Sequence, residues 1–127
     1  MKLLKSAVVA VTLALSLGSF STTAVACEDG RTCFGPVEAI NITLGHVAEA
    51  MKSLNDGENG ATVEKYIKEA QKSNKEINAN DVVDRNRQRA NGHLKKAKSV
   101  LRKGDRVGAT EHLEAAEKGF AALKGMI

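Results

Sequence analysis

Three histidines, His46, His93 and His112, are the residues of this 127-residue chain best suited to chemistry. Imidazole nitrogen is a good ligand for Cu(II), Ni(II) and Zn(II), so histidines gathered from separate helices would make a metal platform. Their spacing from two glycines suggests such a gathering. His46 precedes Gly57 by 11 residues, His93 precedes Gly104 by 11, and His112 follows Gly104 by 8. If both glycines mark turns at one end of a helical bundle, a rise of about 1.5 Å per residue puts the three imidazoles within about 5 Å of one height. His93 immediately precedes Leu94 and His112 immediately precedes Leu113, so both flank an apolar seam and can meet across the third and fourth helices. In the first half of the chain the position answering to His112 is Lys65. Oxygen donors near His46 would be Glu49, three residues on, and Glu64 or Glu69. The candidate metal set is therefore His46, His93, His112 and Glu49. Against it stands the plainer reading of half-exposed boundary histidines, because the chain has neither a His-x-x-x-His pair nor a Glu-x-x-His motif.

Other chemistries find less support. There is no Cys-x-x-Cys-His for covalent haem attachment. A haem held between Met51 and His112 is conceivable, but Met51 falls on an apolar seam where core packing is the commoner role, and no haem is expected. No phosphate loop, nucleophile elbow or paired-carboxylate arrangement rises above chance, so the chain is not expected to be an enzyme. Asn41-Ile42-Thr43 fits a glycosylation acceptor formally but falls inside a helix.

The two cysteines, Cys27 and Cys33, enclose five residues that include a glycine. In an oxidising compartment they can close a small disulfide loop; alternatively Cys27 is a lipidated first residue. The compartment follows from residues 1–26. Lys2 and Lys5 precede an apolar run from Ala7 to Leu17, then small and polar residues lead to Ala24-Val25-Ala26. That order is the pattern of a secretory signal peptide, and the apolar run is shorter than the roughly 20 residues a membrane span needs. Residues 1–26 are thus expected to direct export to the periplasm and to leave, with no integral span remaining. Without Lys2 and Lys5 the chain carries 17 basic and 15 acidic side chains, a net of +2. No basic arm stands out and aromatics are only 3% of residues, which argues against a nucleic-acid partner. Beyond a metal ion, a protein partner is left open.

The elements that would position the histidines are helical. A single proline, Pro36, suits a first helical position, where its missing donor is not needed. From it Val37, Ile40, Leu44, Val47, Met51 and Leu54 recur at alternating spacings of three and four, the stripe of a bundle helix. Asn55–Gly60 breaks the pattern. A second stripe follows on Val63, Ile67, Ala70 and Ile77, with Tyr66 beside it; Asn74 dilutes this stripe and predicts loose packing there. Asn78-Ala79-Asn80-Asp81 offers turn and cap chemistry. A third stripe runs through Val83, Ala90, Leu94, Ala97 and Leu101 to a stop at Lys103-Gly104. Asp105 can cap the fourth helix, striped by Ala109, Leu113, Ala116, Phe120 and Leu123. Residues 27–35 are assigned to an N-terminal cysteine loop and 36–127 to an all-α, antiparallel up-down-up-down four-helix bundle. Its alanine-rich seams predict modest stability.

An internal repeat accompanies the helices. Gly45-His46, Ala50, Leu54 and Gly57 recur 47 residues later as Gly92-His93, Ala97, Leu101 and Gly104, and Gly60-Ala61-Thr62 recurs 48 later as Gly108-Ala109-Thr110. Duplicated helical hairpins are expected. Together with Gly45–Lys52 and Gly104–His112, the repeat resembles the bacterial small metal-binding protein family over about residues 45–125. That resemblance implies a periplasmic, histidine-rich four-helix bundle that binds copper and other divalent metals. Where the family places further histidines, this chain has Ser53, Glu69 and Lys103, so it resembles a histidine-poor relative. The function expected is weak binding or sequestration of divalent Cu, Ni or Zn. The alternative is a structural or protein-interaction bundle of the cell envelope without metal.

Overall fold

The computed structural model of the chain describes residues 25–26, 32–33 and 35–127. Residues 1–24 of the expected signal sequence, and Cys27 with its disulfide or lipid, lie outside those residues. Val25–Ala26 (β1) and Thr32–Cys33 (β2) form a two-residue antiparallel ladder, with Val25 opposite Cys33. Among the described residues after it, all the regular elements are helices.

Helix α1, Pro36–Asn55, starts on its proline, with Glu38 in the first turn where a negative charge suits the helix dipole. Helix α2, Gly60–Ser73, opens at Asn59, whose side chain accepts the Thr62 N–H at 2.9 Å. A short 3-10 turn covers Asn74–Glu76. Helix α3, Asp81–Arg102, is capped by Asn80, which accepts from Val83 N–H at 2.9 Å. Helix α4, Arg106–Ala122, is capped by Asp105, which accepts from Gly108 N–H at 2.8 Å, and ends in a 3-10 turn over Leu123–Met126. Gly57 and Gly104 take φ of +77° and +86°, the left-handed conformation that stops a helix and that glycine adopts without penalty. Replacing Asp105 by Ala is expected to lower stability by about 1 kcal/mol, with Asp105→Asn near wild type, in urea unfolding followed by circular dichroism.

The four helices pack against one another: α1 touches α2 and α4, and α3 touches α4 and α2. The third and fourth stripes are buried throughout, as their spacing predicts. Burial also repeats at the offset of 47: Val47 and Leu94, Ala50 and Ala97, and Leu54 and Leu101 are matched in exposure. Among the described residues, seven of the nineteen buried apolar ones are alanine, so large side chains such as Phe120 carry a disproportionate share of the apolar contact.

Three details differ from the sequence expectation. Val37 is 45% exposed, and Leu44 and Met51 only border the core. The buried face of α1 is rotated toward the small residues Ala39, Thr43, Ala50 and Ser53, which let neighbouring backbones come close. Ile77 is buried but sits beyond the end of α2. Asn74 does not loosen the packing. It is fully buried, donates to the carbonyls of Ala70 and Gln71 and to Asn91 Oδ1, and accepts from Arg87. At the opposite turn, Arg106 at the start of α4 donates to the Leu54 carbonyl in the last turn of α1 and to the Glu58 carbonyl in the loop after it.

Candidate metal centre

The site begins with a close helix approach. A Cβ built on Gly119 of α4 would lie 2.9 Å from Ala90 Cβ of α3, nearer than real Cβ atoms come. One turn along α3 from Ala90 is His93, and two turns back along α4 from Gly119 is His112. The absence of bulk at Ala90 and Gly119 lets the helices converge enough for these imidazoles to touch. His93 Nδ1 and His112 Nδ1 are 3.4 Å apart, with ring centroids 5.6 Å apart and planes tilted by 30°. Both rings are half-buried. When both are neutral, one Nδ1–H can donate to the other, provided the two rings hold different tautomers.

The same separation suits a shared ion. Two ligands about 2.0–2.1 Å from a tetrahedral ion sit about 3.3–3.4 Å apart. An ion placed between them would take two nitrogens from His93 and His112 and leave its further coordination positions to water. The surroundings are cationic: Arg89 lines the same groove as His93. Burial, then the neighbouring His112 and Lys96, push His93 below the ordinary imidazole pKa and favour the neutral, metal-ligating form. No carboxylate joins them. Among the described residues no group of three or more His, Cys, Asp or Glu side chains is gathered for a metal.

His46 and Glu49 thus stand apart from the pair. His46 is half-buried and Glu49 exposed. The α4-facing side of α1 carries Asn41, Leu44, Gly45 and Ala48, which line a groove with Glu117, Lys118 and Ala121. His46 instead lies one turn on from Thr43, whose hydroxyl is 3.0 Å from Ser73 Oγ of α2, and so flanks α2. Shared height along the axis does not give a shared azimuth. Glu64, an oxygen donor considered for His46, is engaged by Arg102 of α3 and by Lys68. The Arg102 hydrogen bond holds its carboxyl below the usual range. Glu69 is exposed on the outer face of α2. What the stripes did not single out is the Ala90–Gly119 contact. Its signal was available as small residues one or two turns from each histidine.

The depressed pKa of His93 has a measurable consequence. The folded chain holds this imidazole less basic than the unfolded chain, so unfolding takes up a proton once pH falls below about 6.5. This group leaves stability unchanged well above that value and lowers it as pH drops from the unfolded pKa toward the folded one. The urea midpoint is expected to be lower at about pH 5.5 than at about pH 7.5, and the difference to shrink in His93→Gln. An unchanged difference in the variant would remove His93 as its source.

Comparison with known proteins finds no matching family model, no matching curated relative and no matching solved structure.

Proposed function

We propose that this chain is an exported, periplasmic, non-enzymatic bundle that binds a divalent transition metal weakly between His93 and His112. The observation that carries the reading is the 3.4 Å approach of two Nδ1 atoms from different helices. Two half-buried imidazoles of this kind, one favoured in its neutral form, offer Cu(II), Ni(II) or Zn(II) a preformed pair of nitrogens. Weakness follows from the missing carboxylate and the nearby Arg89 and Lys96, which oppose a cation. Export rests on the leader pattern of residues 1–26 and on Cys27 and Cys33; no helix among the described residues is long and apolar enough to cross a membrane.

The finer architecture belongs to the same proposal: antiparallel up-down-up-down helices, descended from a duplicated hairpin. Contact order supports it. Moving along α3 from Asn91 through Lys98 to Arg102, the hydrogen-bond partners on or next to α2 run backwards, from Asn74 through Gln71 to Glu64. Between α3 and α4, Ala90 neighbours Gly119 and His93 neighbours His112, again in opposite directions. Duplication is supported by the burial match at an offset of 47 and by the paired left-handed glycines.

The test is a calorimetric titration of the exported protein with Cu(II), Ni(II) and Zn(II). Saturable binding is expected, lost in the His93→Ala/His112→Ala double variant and retained in His46→Ala, because among the described residues no third ligand group gathers with the pair. Indifference of the unaltered protein to all three metals would refute the proposal and leave the interaction bundle, which the lack of a third ligand favours.

A further inference from the structure

Helix α3 is far more basic than the chain that carries it. Its 22 residues hold seven Lys and Arg against two Asp, a net of +5, whereas residues 35–127 together reach only +3. The rest of the bundle is therefore net negative. Averaging over the chain hides this, which is why no basic segment stands out in the composition. Three of the seven cations are occupied at the α2 side: Arg87 with Asp84 and Asn74, Lys98 with Gln71, Arg102 with Glu64.

Of the other four, Lys95 lies about 100° round the helix from its neighbour Lys96, and the remaining three point elsewhere. Arg85, Arg89 and Lys96, with Lys103 just past the helix end, recur at spacings of four, seven and seven, a single face opposite the buried stripe of Val83, Leu94 and Leu101. All four are exposed, and among the described residues none of them makes an ion pair. The positions between them on that face are Gly92 and Ser99, too small to hold a partner away. At about 1.5 Å per residue the row is about 27 Å long. Long, straight, uniformly positive and unscreened, it matches an extended negative surface.

Its chemistry narrows the partner. Single-stranded nucleic acid is held largely by base stacking on aromatics. The aromatics of residues 35–127 are Tyr66 and Phe120, on α2 and α4, and Phe120 is fully buried. On α4, Glu111, Glu114 and Glu117 span only about 9 Å, with Lys118 directly after them, so this helix of a second copy offers no acidic row of matching length. We propose that the outer face of α3 is a docking edge for an anionic lipid surface, with Arg85, Arg89, Lys96 and Lys103 set against headgroup phosphates. Cations near such a surface each strengthen binding by about fivefold, and salt screens the attraction within about 10 Å at 0.1 M.

The test is sedimentation with phosphatidylcholine vesicles, pure or containing about 30% phosphatidylglycerol, at low and high salt. Every protein carries the same N-terminus, checked by mass spectrometry, so any contribution of the apolar run near residue 10 cancels. Three proteins are compared: the unaltered chain, Arg85→Glu/Arg89→Glu/Lys96→Glu, and a control with the same charge change elsewhere, Lys65→Glu/Lys72→Glu/Lys118→Glu. Gln substitutions at Arg85, Arg89 and Lys96 serve as a milder set, and circular dichroism checks that each protein is folded. The unaltered chain should bind only the anionic vesicles and release them in high salt. The α3 variant should lose about 100-fold or more, and the control less than about fivefold. No binding to anionic vesicles, equal loss in both variants, equal binding to neutral vesicles, or tighter binding to a single-stranded oligonucleotide would each overturn the proposal.

Discussion

Phe120→Ala is expected to lower unfolding free energy by about 3–5 kcal/mol. Phe120 is fully buried on α4 and is the one phenylalanine among residues 35–127. The surrounding core is unusually rich in alanine, and alanine has no rotamer with which to swing into a void. The cavity would therefore collapse little, which places the cost toward the upper end of the range. A domain of this size has about 5–15 kcal/mol of stability in all, and each 1 kcal/mol moves its melting temperature by about 4–8 °C. The variant should thus melt at least about 15 °C lower, with Phe120→Leu falling between it and the parent. Thermal and urea unfolding followed at 222 nm would measure this. A loss under about 1 kcal/mol would mean that the core is not organised around this ring.

The elements of the fold were legible where one residue type served both local and global demands. Asn80 and Asp105 cap α3 and α4 because their short side chains reach back to the third N–H, and Gly104 ends α3 because it tolerates positive φ. Those requirements are local, so a short window of sequence reveals them. The buried face of α1 was less legible. Its bulky residues suggest one stripe, but the chain buries Ala39, Thr43 and Ser53, since close packing rewards small side chains that a hydrophobicity pattern undervalues. Asn74 is illegible for a related reason: its polarity counts as a defect until the groups that satisfy it are known.

The candidate site divides in the same way. That His93 and His112 could meet followed from their positions beside Leu94 and Leu113, because equivalent flanks of adjacent helices face each other. His46 shares their height in a count of residues, but a count along the axis leaves the angle about it undetermined. The angle is set by which neighbour α1 turns toward α2 and which toward α4, and that depends on packing. The cationic row on α3 is hidden in the whole-chain charge, because the acidic side chains of the other helices cancel most of it.

Asn74→Ala is the second change expected to weaken the protein severely, by about 2–3 kcal/mol. Its amide closes the C-terminus of α2 on the Ala70 and Gln71 carbonyls at 2.9 and 2.8 Å, and it reaches α3 through Asn91 at 3.0 Å. Its oxygen accepts from Arg87 Nη1 at 2.9 Å. Truncation removes four hydrogen bonds at once inside the α2–α3 corner, where the Arg87 side chain is only 16% exposed, although the Ala70 carbonyl keeps the backbone N–H of residue 74. Arg87 would keep its 2.9 Å contact with Asp84, so it is not left wholly unpaired, and this holds the estimate below the cost of a buried lone charge. Because Arg87 and Asn74 share one network, their effects should not add. The Asn74→Ala/Arg87→Ala double variant is expected to be more stable than the sum of the single losses predicts, by about 0.5–3 kcal/mol. Asn74→Asp separates the roles further. A carboxylate can still accept from Arg87 but cannot donate to two carbonyls and Asn91, so it should destabilise at least as much as alanine near neutral pH. It should recover in part as acid returns a proton to the group. If the aspartate variant instead matched the parent at neutral pH, the donor side of Asn74 would carry no weight. The corner would then be held by Arg87 alone.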